Sequence, residues 1–203
     1  MKKQNLISIG ITGLMGSGKS TALGFFKEKG IRTFDLDSEA KKLLKIHTKC
    51  YEQILEKFGN HILNYNGTIS RRKLREIVFN DNKSRKALNK IVHPALADRI
   101  LSICRNLSKR KKKIVIFEGA LISRETKIGK TLSYILYVDA KKETLSSRIS
   151  KRDKIEKKDA RKLLIMQKSI EKNRKTADFI ISNNSNLKEF NYQLNLVLDK
   201  LVY

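Results

Sequence analysis

The sequence predicts an α/β protein built on a parallel sheet of five strands flanked by helices, and three observations carry that prediction. Gly13-Leu14-Met15-Gly16-Ser17-Gly18-Lys19-Ser20 satisfies G-x-x-x-x-G-K-[ST] without a mismatch. Continuous apolar runs that end in a carboxylate recur along the chain, the pattern of strands covered on both faces. Between the second and third of these runs stands a long stretch of helical periodicity.

The first run, Leu6-Ile7-Ser8-Ile9-Gly10-Ile11, is short and rich in β-branched residues, and Ser20 to Lys29 carries Ala22, Leu23, Phe25 and Phe26 at helical spacing. Strand, loop and helix in that order make the glycine-rich stretch a phosphate-binding P-loop. Glycines let successive N–H groups converge on phosphate oxygens, where a side chain at Gly16 or Gly18 would obstruct the approach. Lys19 supplies a mobile charge for the β- and γ-phosphates, the Ser20 hydroxyl is placed to ligate Mg²⁺, and the helix aims its positive dipole end at the anion.

Composition bounds the remainder. A chain of 203 residues suits one α/β domain with an insertion, and 40% hydrophobic with 32% charged residues is a soluble balance. No run approaches the roughly 18 apolar residues of a membrane span. Met1-Lys2-Lys3-Gln4-Asn5 leads within a few residues into the P-loop, so it does not read as a signal peptide, and the expected location is cytoplasmic. Cys50 and Cys104 have neither C-x-x-C nor zinc-site spacing and read as reduced, buried thiols. The net charge of +25 invites a nucleic-acid partner. The lysines are spread over every segment, however; only Lys109 to Lys113 is a dense run, and no nucleic-acid motif accompanies it. No dedicated nucleic-acid partner and no membrane partner is expected, and part of the surplus suits anionic substrates.

After Gly30, a left-handed helix end, Ile31 to Asp35 reads as the second strand and runs into Asp35-Leu36-Asp37. Ligands of open parallel sheets bind at the carboxyl ends of the strands. Both carboxylates are therefore expected in the P-loop's cleft, on one side if extended backbone persists through Leu36. Asp37 is then a general base for a substrate hydroxyl, with Asp35 a Mg²⁺-linked or structural partner. The compatible alternative is that Asp37 caps a helix from Ser38 to Ile46.

Thr48 to Arg110 is mostly helical, punctuated by Gly59, Asn66-Gly67 and Asn80-Asp81-Asn82, and reads as a helical insertion forming a substrate pocket or lid. Within it, Pro94 should kink or restart a helix. His93 reads as a substrate-binding or charge-sensing group, or else as a packed residue at a helix end. Ile114 to Phe117 with Glu118 is the third strand, its carboxylate near Mg²⁺; Tyr134 to Asp139 is the fourth. A helix from Lys142 to Arg152 carries Arg148 and Arg152 on one face, where both can close over the γ-phosphate. Glu156 to Lys175 resumes as a helix with Ala160, Leu163, Leu164, Gln167 and Ile170 on one stripe. Ala177 to Asn184 supplies the fifth strand and a turn, and Asn186 with Glu189 caps a closing helix.

Taken together, Gly10-Ile11-Thr12-Gly13 into Gly16 to Thr21, Asp35-Leu36-Asp37, Phe58-Gly59, Ile69-Ser70-Arg71, Val78-Phe79-Asn80, His93-Pro94, Arg148 through Arg152-Asp153, Met166-Gln167 and Ala177-Asp178 through Asn183 closely resemble the dephospho-coenzyme A kinase family over nearly the whole chain. The resemblance implies a P-loop kinase core, residues 1–47 and 111–203, a helical coenzyme-A-binding insertion at about 48–110 and a short lid at about 148–162. It implies ATP-dependent phosphorylation of the ribose 3′-hydroxyl of dephospho-coenzyme A, with ATP and Mg²⁺ required and the oligomeric state left open. Carried over, Asp37 matches the base, Lys19 a phosphate ligand and Arg148 a lid-side phosphate contact; Gly13, Gly16, Ser17, Gly18, Lys19, Ser20, Thr21, Arg152 and Asn183 are expected to bind ATP. Asp37, Arg71, His93 and Pro94 match the substrate side, and Ser20 the Mg²⁺ ligand. The chain departs from the family at Leu14, where glycine is common, and at Gly119 to Ser123, where Ser123 replaces the usual glutamate. Competing readings are another P-loop small-molecule or nucleotide kinase and a nucleotide-gated nucleic-acid-binding protein.

Overall fold

The computed structural model describes residues 6–110 and 113–202. The reading of Met1 to Asn5, and Lys111 and Lys112 of the basic run, lie outside them. The described chain forms two compact units, one made of the chain up to Asp35 and from Cys104 onward, the other Leu36–Ile103.

The first unit holds a five-stranded, all-parallel sheet in the order β2-β3-β1-β4-β5, with β1 Ile7–Thr12, β2 Arg32–Asp35, β3 Ile114–Glu118, β4 Tyr134–Asp139 and β5 Phe179–Ser182. The central strands are the most apolar: Val115, Ile116 and Phe117 are fully buried, as parallel strands covered on both faces require. From β1 the chain crosses past β3 to β2, whereas β4 lies on the other side. The carboxyl end of β1 is thus the point where strand order reverses, the usual ligand crevice of such sheets. Helix α1, Lys19–Glu28, lays Ala22, Phe25 and Phe26 into a core shared with Phe190, Leu194 and Val197 of α10, Leu187–Val202. Truncating a buried phenylalanine such as Phe26 to alanine costs about 3–5 kcal/mol. On β5, an edge strand, Gln193 donates to the Ser182 carbonyl and accepts its N–H, which satisfies backbone groups that an edge otherwise exposes.

The second unit is helical, and it starts earlier than the expected insertion. Extended backbone stops at Asp35: α2 is Leu36–Leu43, so Asp35 closes a strand while Asp37 sits in the first turn of a helix. The expected alternation across Leu36 therefore does not occur, nor does Asp37 cap a helix beginning at Ser38. Leu36 is buried and enters the helix itself, and Asp37 and Glu39 complement its N-terminal dipole. Helices α3, Lys49–Phe58, α4, Arg71–Asn80, and α5, Asn82–Lys109, follow, with Gly59 and Gly67 at positive φ where the punctuation predicted turns. Thr48 and Ser70 cap α3 and α4 by accepting the N–H groups of Tyr51 and Lys73. Cys50, Ile54, Phe58, Ile62 and Leu74 form this unit's core.

Pro94 neither ends nor restarts α5, which runs through it. The missing N–H and the clash with the preceding turn are offset by Ile91, Val92 and Ala95, which pack on the core just described. His93 is accordingly inside a helix and not at its end. Both cysteines are free thiols, but only Cys50 is buried; Cys104 is half-exposed.

Candidate active site

The P-loop leaves β1 at Thr12 and enters α1 at Lys19, with Gly13, Gly16 and Gly18 all at positive φ. A Cβ at Gly13 would fall on the Val138 carbonyl oxygen, and one at Gly16 would lie 3.2 Å from Ile149 Cγ1. The curled loop is therefore pressed against β4 and against α7, Lys142–Asp153, leaving glycine the only comfortable residue at these turns. The Lys19 ammonium donates to the Leu14 carbonyl at 3.1 Å, folding its side chain back over the loop. Ser20 and Thr21 are exposed at the start of α1.

Leu14 has no positive φ, which is why a leucine is accommodated where the family often has glycine. Its side chain is buried with Ala140, Leu145, Ile149, Ala160 and Leu164, the last two from α8, Lys157–Met166. The expected helix from Glu156 to Lys175 is divided at Gln167 into α8 and a short α9, Lys168–Lys172. Gln167 has a job there: its Oε1 accepts the Met15 N–H of the P-loop at 2.9 Å. In the sequence Gln167 stands on an apolar stripe with no evident role, and a lone amide among Leu163, Leu164 and Ile170 is the available signal.

Arg148 reaches the loop, its guanidinium donating to the Gly16 carbonyl and to Asn183 Oδ1, each at 3.4 Å. Arg152 does not accompany it. It is 57% exposed and forms a forked pair with Asp153, at 2.7 and 2.9 Å, that raises its own pKa and holds the Asp153 carboxyl below the usual range. The turn after α7 passes through Lys154 in the left-handed region. Asn183, just past β5, is buried and donates from Nδ2 to the Ser17 carbonyl at 2.7 Å.

At the carboxyl edge of the sheet, Asp35 and Glu118 are register partners on adjacent parallel strands, so the two carboxylates stand side by side. Ser123, at the family's glutamate position, is buried in the turn before a short helix α6, Lys127–Lys130, and its Oγ accepts the Glu125 N–H at 3.3 Å, a structural role. The remaining expected substrate residues belong to the helical unit. Asp37 is exposed in α2, Arg71 is exposed at the start of α4, and His93 and Pro94 lie within α5. Burial lowers the His93 pKa, so its imidazole is neutral, and its Nε2 is buried without a hydrogen-bond partner among the described residues.

These features fit a nucleotide phosphate. Glycines hold the loop in a concave turn, a lysine lies over it, and the Ser17 hydroxyl is buried without a protein partner among the described residues. A family model described as CoaE, dephospho-CoA kinase, matches residues 7–189. The chain belongs to the dephospho-CoA kinase family. The dephospho-CoA kinase of Fusobacterium nucleatum subsp. nucleatum is 38% identical over 186 residues, covering 91% of this chain and 93% of that protein. Among solved structures, TT1252 from Thermus thermophilus superposes with a TM-score of 0.75 at 28% identity, covering 97% of this chain and 98% of that one. The dephospho-CoA kinase from Campylobacter jejuni superposes with a TM-score of 0.67 at 26% identity, covering 95% and 96%. The architecture is that of a P-loop kinase, and among the described residues no helix is long and apolar enough to cross a membrane.

Proposed function

We propose that the protein transfers the γ-phosphoryl group of ATP to the ribose 3′-hydroxyl of dephospho-coenzyme A, giving coenzyme A and ADP, in the cytoplasm. The observation that carries this reading is an intact P-loop, three glycines at positive φ with Lys19 folded over it, inside a chain that matches the dephospho-CoA kinase family over residues 7–189.

In the reaction, the acceptor oxygen forms a bond to the γ-phosphorus as the bridge to the β-phosphate breaks, and ADP leaves with the bridging oxygen. Lys19 and Arg148 stabilise the charge that gathers on the transferring group and the departing diphosphate. Asp37, exposed in the first turn of α2, takes the hydroxyl proton. Mg²⁺, which would be held by the exposed Ser20 hydroxyl, supplies neutralising charge to the phosphates when bound. Arg71, His93 and Pro94 bind the acceptor in this reading; with His93 neutral, its part relies on shape and hydrogen bonding and not on an imidazolium charge.

The test is a coupled ADP-release assay against dephospho-coenzyme A, adenosine monophosphate, pantothenate and shikimate. Turnover confined to dephospho-coenzyme A is the expected result. Faster turnover with another acceptor would replace the substrate, and tight, steeply salt-dependent binding to RNA without turnover would favour a nucleic-acid partner for the +25 charge.

A further inference from the structure

We infer that Asn183 is a positioning residue for phosphoryl transfer, a clip that ties Arg148 to the P-loop, and not a ligand of the nucleotide. The inference rests on the kinase reading above and adds a residue that works through two others.

Both ends of the Asn183 side chain are committed to protein. Its Nδ2 donates to the Ser17 carbonyl at 2.7 Å, and its Oδ1 accepts from the Arg148 guanidinium at 3.4 Å. The partners determine the amide's orientation: a carbonyl can only accept and a guanidinium can only donate, so a flipped amide would lose both bonds. The main chain is pinned as well. The Asn183 N–H donates to the Asp139 carbonyl at 2.8 Å, and next door Asn184 Oδ1 accepts the Lys141 N–H at 2.7 Å. The Asn183-Asn184 turn is therefore fastened to the junction of β4 and α7, the helix that carries Arg148.

The P-loop is shaped to receive this amide. A Cβ at Gly18 would collide with Asn183 Nδ2, so Gly18 is needed as a seat for Asn183 as much as for a phosphate. Gly16, whose carbonyl is the second acceptor for Arg148, completes the frame. Arg148 is thus held by two oxygens, one from the loop's backbone and one from Asn183. A guanidinium restrained in this way loses little further freedom when charge develops at the γ-phosphate, which is where orientation contributes to rate.

A double-mutant cycle tests this. Parent, Asn183→Ala, Arg148→Ala and the double variant are compared for kcat and for KM of ATP with dephospho-coenzyme A, alongside the Tm of each. Asn183→Ala should lower kcat by roughly tenfold or more with KM for ATP within about threefold of parent. In the Arg148→Ala background the same change should cost little further, because its route to the reaction is already gone. Additive losses, or a raised KM for ATP with kcat preserved, would overturn the inference and make Asn183 a direct nucleotide ligand. A loss that tracks Tm and disappears on cooling would also overturn it, leaving a purely structural amide. If the alanine variant does not fold, Asn183→Ser is carried through the same cycle with the same criteria. Parent enzyme that is active only with a different acceptor would retire the substrate assignment alone, and the cycle is then run on that acceptor.

Discussion

The side-chain oxygen of Gln167 accepts the main-chain N–H of Met15 at 2.9 Å, joining the break between α8 and α9 to the P-loop. An uncompensated amide here would cost about 1–3 kcal/mol if it stayed buried. Part of that is recovered by water, because Gln167 and Met15 are only half-buried. Gln167→Ala should therefore weaken ATP binding about three- to tenfold while the fold survives. Isothermal titration with a non-hydrolysable ATP analogue checks this; unchanged affinity would mean that the loop keeps its shape unaided.

Arg148 and Arg152 share a helix face but not an environment, so their substitutions should separate. Arg148→Lys keeps the charge but loses the planar fork that spans Gly16 and Asn183, and kcat should fall by about tenfold or more. Arg152→Lys disturbs an exposed pair with Asp153 and should change kcat by less than about threefold. Steady-state kinetics on the two variants decide the order, and an equal loss in both would place Arg152 at the phosphates during turnover.

Asp37 and Asp35 make a second contrast. Asp37 is exposed in a helix turn, whereas Asp35 ends a strand beside Glu118. If Asp37 is the base, as proposed, Asp37→Asn should retain binding of dephospho-coenzyme A and lower kcat by about 10². A smaller loss is compatible with a loose transition state in which the hydroxyl proton leaves late. A larger loss in Asp35→Asn would reverse the assignment.

The helical unit carries its own pH dependence. Glu39 is 3% exposed and paired with Arg99 at 2.9 Å and with Lys42. Burial pushes its carboxyl up, but the hydrogen bonds and charges of Lys42 and Arg99 outweigh burial and hold it below the ordinary 4.5. His93 is lowered from 6.5 by burial itself, because an apolar setting disfavours the imidazolium. For both groups the unfolded chain binds protons more readily, so stability is full above the unfolded values and is lost on acidification, first below about 6.5 and then below about 4.5. Tm measured across this range should fall in two stages, with His93→Gln flattening the first and Glu39→Gln the second. Arg99→Ala, which strips a partner from a buried carboxylate, should cost about 1–2 kcal/mol at neutral pH, a figure reduced because Arg99 itself is partly exposed.

Much of the fold was legible because burial writes strands plainly: Tyr134 to Asp139 is a strand with the boundaries its apolar run predicts, and Ile114 to Glu118 differs only by its terminal carboxylate. The P-loop was legible because its glycines answer a local backbone requirement. The local geometry at Asp37 was harder to read, because Leu36, apolar and adjacent to a strand, continues that strand as readily as it opens a helix until its burial in α2 is known. Gln167 stands on an apolar helix stripe and Asn183 in the turn after the fifth strand, positions that name no partner. Their roles depend on hydrogen bonds to Met15 and Ser17, 152 and 166 residues away along the chain, and no periodicity encodes pairings at that range.

Leu14 gives the P-loop a property that a glycine there would not. Anchored among Leu145, Ile149, Ala160 and Leu164, the loop cannot loosen without uncovering apolar surface on α7 and α8. Opening of the loop and of those helices should then be one cooperative event, seen as matched amide hydrogen-exchange rates across all three segments that slow together when nucleotide binds. Replacing Leu14 by glycine would uncouple them, and the loop's amides would exchange ahead of the helices.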